Sequence, residues 1–85
     1  MDISTTATAI LAADSSRYGR TVLIQNTGTV DISVGVGAAN VAALTATVGV
    51  LLRVGADMAL TGQEAAGAVS GIVASGTGAL RVNII

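Results

Sequence analysis

Five carboxylates, four arginines, six serines and one tyrosine are the side chains with which this 85-residue chain could do chemistry. Histidine, cysteine and lysine are absent. That removes the common proton shuttle, the thiolate and amine nucleophiles, and the nitrogen and sulfur ligands of zinc. The serines have no base partner of the triad type. A carboxylate pair could still do acid–base work, and Asp14, Asp31, Asp57 and Glu64 are the groups available. Asp14, Asp57 and Glu64 stand beside serine or alanine and Asp31 lies two residues after Thr29, which points to a turn or a solvated strand face. No D-x-D-x-D-G cluster marks a calcium loop. The run "GVGAAN", Gly35 to Asn40, opens like a dinucleotide fingerprint but has Asn40 where the third glycine belongs, and no Gly-Lys-Ser or Gly-Lys-Thr follows. These glycines read as the end of a strand. The expectation is a protein that is not an enzyme, with no catalytic residue, cofactor or metal.

Binding is a different matter. Arg17, Tyr18 and Arg20 form the one concentrated set of contact-prone side chains, of types favoured at the centres of interfaces. The formal net charge is −1. Nucleic acid is not expected as a partner, because its recognition draws on clustered Lys and Arg with stacking aromatics. Little like-charge repulsion keeps copies apart, which suits assembly.

The elements that must position these residues are aliphatic. Apolar residues make up 52% of the chain, with no Phe, Trp or Cys. A domain this short buries only ~60–65% of its unfolded surface. Small scaffolds compensate with disulfides, a metal or association. Association is the route left, with a second copy or another protein.

Turn residues recur every ~8–12 residues between short apolar runs, the pattern of a sandwich or barrel. Residues 1–14 read as an N-terminal strand or extended arm, and residues 15–85 as a single β-sandwich domain. In "RTVLIQNTGTVDISVGVG", Arg20 to Gly37, two strands flank a turn at Asn26–Thr29, where Asn26 and Gly28 tolerate positive φ. That spacing predicts a hairpin. After the turn, Val30, Ile32, Val34 and Val36 alternate with Asp31, Ser33, Gly35 and Gly37. Ile32 and Val34 are expected inside, with Asp31 and Ser33 in solvent or at an interface. Residues 38–49 fit either a helical turn or two, or an extended return. Strands are expected near 50–52, 58–60, 69–74 and 79–84, with a loop over 63–68. The fold class is all-β: a compact sandwich or jelly-roll-like domain of six to eight short antiparallel strands.

Residues 32–52 carry no charge and are long enough to cross a bilayer as a helix. Their glycines, their alternation and the lack of flanking basic or aromatic residues argue against a span, so no membrane is expected. The start "MDISTTATAI" lacks the basic and apolar regions of a signal peptide.

Three runs carry a family resemblance: "SSRYGRTVLIQNTGTVDISVGVG", "GVLLRVGADMAL" and "GAVSGIVASGTGALRVNI". Arg20, Ile24, Asn26, Gly28, Val34, Gly35, Gly37, Gly49, Leu52, Gly55, Ser75, Gly76, Thr77, Arg81 and Val82 fall on the shared pattern. Over residues 15–84 the chain resembles small tailed-bacteriophage virion proteins of the capsid decoration (cement) type. The resemblance implies a homotrimeric structural virion protein on the outer capsid surface, made in the host cytoplasm. It also implies the major capsid protein as partner. The alternatives are a tail, neck or head-fibre component of the same fold, or a small holin-like membrane-active protein with its span at 32–52. Expected capsid contacts are Ile3 and Thr5 in the arm with Arg17, Tyr18 and Arg20 in the turn. Gly35, Gly37, Val41 and Leu44 are expected at a subunit interface, where glycine and alanine permit close approach.

Overall fold

The computed structural model describes residues 1–85. Eight strands form: β1 (Asp2–Ile3), β2 (Thr8–Leu11), β3 (Val22–Asn26), β4 (Ile32–Val36), β5 (Val50–Leu52), β6 (Asp57–Leu60), β7 (Val69–Ile72) and β8 (Gly78–Ile84). Between them lie two short helices, α1 (Ala38–Ala42) and α2 (Gln63–Ala66), and a 3₁₀ turn at Ser15–Arg17. The strands make two four-stranded antiparallel sheets, ordered β1-β8-β3-β6 and β2-β7-β4-β5. The all-β, two-sheet expectation holds.

The pairing is nested. β1 pairs with β8, β2 with β7, β3 with β6, and β4 with β5. The chain is thus one long two-ply ribbon, rolled until β3 meets β8 and β4 meets β7. That is the arrangement of a jelly roll. Every connection except β4–β5 crosses from one sheet to the other. One end of the sandwich carries the β2–β3, β4–β5 and β6–β7 connections, with both helices and the 3₁₀ turn. The other carries the four remaining loops.

Alternation in the strands supplies the core. Ile3, Val22, Ile24, Leu60 and Leu80 from one sheet face Ile10, Ile32, Val34, Leu52 and Val69 from the other, and Ala65 and Val73 complete the cluster. β-branched residues dominate it, which suits a pleated surface. Gly78 is required by closeness: a Cβ there would stand 2.9 Å from Val73 Cγ1 and 3.0 Å from Ile32 Cδ1.

Several sequence expectations give way. The Arg20–Gly37 stretch is not a hairpin, because β3 and β4 lie in different sheets. Its strands fall where alternation puts them, but the turn is an arch between layers. Asn26 takes no positive φ. It is the last residue of β3, 3% exposed, with a fully engaged amide. Of the two alternatives for residues 1–14 the strand holds and the extended arm does not: β1 and β2 each join a sheet, and Ile3 is fully buried. Ser33 is buried rather than solvent-facing, because its own chain covers it; its hydroxyl donates to the Ala46 carbonyl at 2.9 Å. Of the two alternatives for residues 38–49 the helical one holds, with α1 followed by a turn closed by a Thr45–Val48 bridge, whereas residues 63–66 are helical rather than loop. Residues 32–52 fold as strand, helix and strand, and no helix is long and apolar enough to cross a membrane.

Candidate partner surfaces

The Arg17–Tyr18–Arg20 set divides. Arg17 turns inward and is 8% exposed. Its Nε donates to the Ala65 carbonyl at 2.9 Å, and one terminal nitrogen donates to the carbonyls of Ala12 at 2.6 Å and Gly67 at 3.3 Å. The Asp14 carboxylate lies 3.6 Å from its other terminal nitrogen. A cation among the free carbonyls at the end of α2 is well placed, since those oxygens lack helical partners. Backbone bonds reinforce the junction: Asp14 N–H donates to the Ala66 carbonyl at 2.9 Å, and Gly37 N–H to the Ala68 carbonyl at 2.8 Å. Arg17 therefore ties the β2–β3 and β6–β7 connections together, the Gly37–Ala68 bond brings in the β4–β5 connection, and the guanidinium is spent on the chain's own carbonyls and Asp14. Tyr18 is 64% exposed and Arg20 is exposed beside it in sequence. These two remain available for contact.

Ile3 leaves the contact set because it is core. Thr5 is exposed, inside a loop ordered by hydroxyls: Ser4 Oγ and Thr8 Oγ1 both donate to the Thr6 carbonyl at 3.0 Å.

Two of the four residues expected at a subunit interface, Gly35 and Leu44, are covered by the chain itself. A Cβ on Gly35 would meet the Asn40 carbonyl oxygen at 2.9 Å, so Gly35 admits α1 and not a second subunit. Gly37 caps the start of α1 at φ 89°. Leu44 is buried, and Val41 is half-buried on the same flap. Close approach is the correct physical reading at Gly35, and what approaches is the chain's own β4–β5 connection; Gly37 has no neighbour within 4 Å of a Cβ, and its glycine is required by its positive φ.

The carboxylates are dispersed, and no three acidic side chains converge. Asp14 caps the 3₁₀ turn by accepting from Ser16 N–H at 2.9 Å. The Ser16 side chain first, then that N–H, and more weakly the Arg17 guanidinium hold its carboxyl below the usual range. Asp31 accepts from Val54 N–H at 2.9 Å. Every buried side-chain nitrogen and oxygen has a partner.

Two features escape a reading of residue types. Asn26 ties the other end together: its Nδ2 donates to the carbonyls of Val30 at 2.9 Å and Leu52 at 3.0 Å, and its Oδ1 accepts from Gly28 N–H. The second is an apolar flank. Val48, Val50, Leu51 and Val54 each keep half or more of their surface in solvent. Beside them a groove of ≈ 280 Å³ opens between the sheets, lined by Val34, Val36, Val50 and Met58, with Asn40 and Glu64 also on its wall. The uncharged run 32–52 was the available signal for this flank, and its apolar end is an exposed strand rather than part of a span. No protein-family model, curated protein or solved structure matches this chain.

Proposed function

We propose that this chain is a structural virion protein of the capsid decoration type, an oligomer that binds the outside of an assembled phage head. The phage setting rests on the sequence resemblance. The single observation that carries the assembly part is the surface. A small chain of net charge −1 exposes Tyr18, Val48, Val50, Leu51 and Val54, whereas its buried polar side chains are all engaged by the fold. Exposed apolar groups gathered on a small domain mark interaction surfaces. The jelly roll agrees at the level of fold, since viral capsid domains are built on it.

The mechanism is linkage. A protein that binds the closed lattice and not free subunits stabilises the lattice by mass action. Several weak contacts from one oligomer add through effective concentration. Arg17 and Asn26 tie the connections at the two ends of the sandwich to one another.

Co-sedimentation with heads purified without this protein tests the reading. The chain is expected to pellet with assembled heads, to leave unassembled capsid protein unbound, and to raise the temperature at which heads open. Absence of binding to heads, or equal binding to unassembled subunits, would refute it.

A further inference from the structure

The two margins of the sandwich differ. At one, where β1 and β2 are the sheet edges, Ile3 and Ile10 fill the gap between the layers. Both are buried, and they stand 3.5 and 3.2 Å from the position of a Cβ on Gly71. At the other margin, between the edge strands β5 and β6, the gap stays open. A groove of ≈ 280 Å³ is left there, walled by Val34, Val36, Val50 and Met58.

The groove has a direction. Its two polar side chains, Asn40 and Glu64, come from α1 and α2, which lie at the same end of the sandwich. Both offer acceptors. Asn40 commits its Nδ2 to the Val36 carbonyl at 2.8 Å, which leaves Oδ1 to accept. The exposed Glu64 carboxylate makes no ion pair. The slot is therefore aliphatic along its run and anionic at one end. Its complement is a flexible aliphatic stem that ends in a cation.

We propose that this groove takes a lysine side chain presented by a partner protein, with the stem along Val36, Val50 and Met58 and the ammonium against Glu64 and Asn40 Oδ1. Four observations narrow the occupant. The volume lies below the ~300–1,000 Å³ usual for small-molecule and cofactor pockets, which suits a single side chain. No aromatic face lines the groove for a guanidinium to stack on, so a compact ammonium suits it better than arginine. The flanking strands are sheet edges, where a peptide carrying the lysine finds main-chain groups to bond that a free amine leaves unused. This chain contains no lysine, so a second copy is not the donor. The site does not rest on the capsid reading, and its test uses no phage heads.

Amide chemical shifts of the full chain report binding. The probes are Nα-acetyl-lysine methylamide, its norleucine and arginine counterparts, and n-butylammonium. The lysine probe should move the signals of Val36, Asn40, Val50, Met58 and Glu64 saturably. The norleucine probe keeps the stem and lacks the charge, and it should bind about threefold more weakly or worse. Glu64→Gln should cost the lysine probe a similar factor and leave the rest of the spectrum unchanged, because Glu64 is exposed. Asp57→Asn removes an exposed carboxylate that does not line the groove, and it should cost nothing. No saturable shift at the groove, equal binding of the norleucine probe, or indifference to Glu64→Gln would overturn the site. So would an equal loss in Asp57→Asn, which would reduce the effect to the general field of the protein. Tighter binding of the arginine probe would give the groove to a guanidinium, and equal affinity for n-butylammonium would give it to a free amine; either overturns the partner lysine.

Discussion

Asn26 donates from Nδ2 to the Leu52 carbonyl at 3.0 Å, across the gap between the two sheets. With its bonds to Val30 and Gly28, one amide joins the β3–β4 arch to the end of β5. Asn26→Ala would strand two carbonyls and an N–H in a poorly hydrated place. A loss of about 2–3 kcal/mol is expected, read from urea unfolding with an unchanged m-value. Asn26→Asp should be no better, because a carboxylate cannot donate to two carbonyls.

Arg17 should behave as a structural residue. Arg17→Ala removes three hydrogen bonds to main-chain carbonyls, two of them at the end of α2, and about 2–4 kcal/mol of stability is expected to go with them. Arg17→Lys should recover only part, since an ammonium cannot reproduce the planar fork. Tyr18→Ala should leave the unfolding midpoint within error and lower binding to heads. Thermal melts and co-sedimentation together separate the two neighbours.

Acid should loosen the same cap. The folded pKa of Asp14 is lowered from 3.8, so its contribution to stability is present in full above 3.8. That contribution is lost as pH falls through the lower folded value, where the unfolded chain binds the proton first. Asp14→Asn should flatten the decline in melting temperature below pH 3.8 relative to the parent. Parallel slopes for both proteins would contradict the assignment.

Deleting residues 2–8 should unfold the protein rather than merely weaken a contact. The deletion removes Ile3, a fully buried side chain contributing about 1.5–3 kcal/mol, and all of β1. Loss of the cooperative melting transition checks this.

Gly78→Ala should cost about 1–3 kcal/mol by overpacking against Val73 and Ile32. For a domain of this size that is a fall of roughly 4–8 °C per kcal/mol. Calorimetry gives the value directly. A variant as stable as the parent would mean that both side chains move aside freely.

Strand positions were legible because alternation records which side chains face inward. Ile32 and Val34 could be assigned to the core on that ground. Partner choice was not legible. A short polar link reads alike whether it folds a strand back in its own sheet or arches to the facing one, and the buried Asn26 that decides between them looks like any turn asparagine. Small residues raised a similar ambiguity. Gly35 signals close approach without saying whether the neighbour belongs to the same chain. Arg17 and Tyr18 are adjacent contact-prone types, and only the carbonyls of α2 distinguish the one turned inward.

Nested pairing also dictates an order of events. Only β4 and β5 pair across a sequence-local connection, with Val34 opposite Val50, whereas Asp2 must find Ala79. Loop closure favours the short search, so zippering starts in the middle of the chain and runs outward in both directions. β1 docks last, onto β8, and during synthesis it must wait until β8 has emerged. Until then the place of Ile3 beside the core stands open, and the apolar β5 edge is already formed. The interval before closure is when a crowded nascent chain is most exposed to wrong pairing.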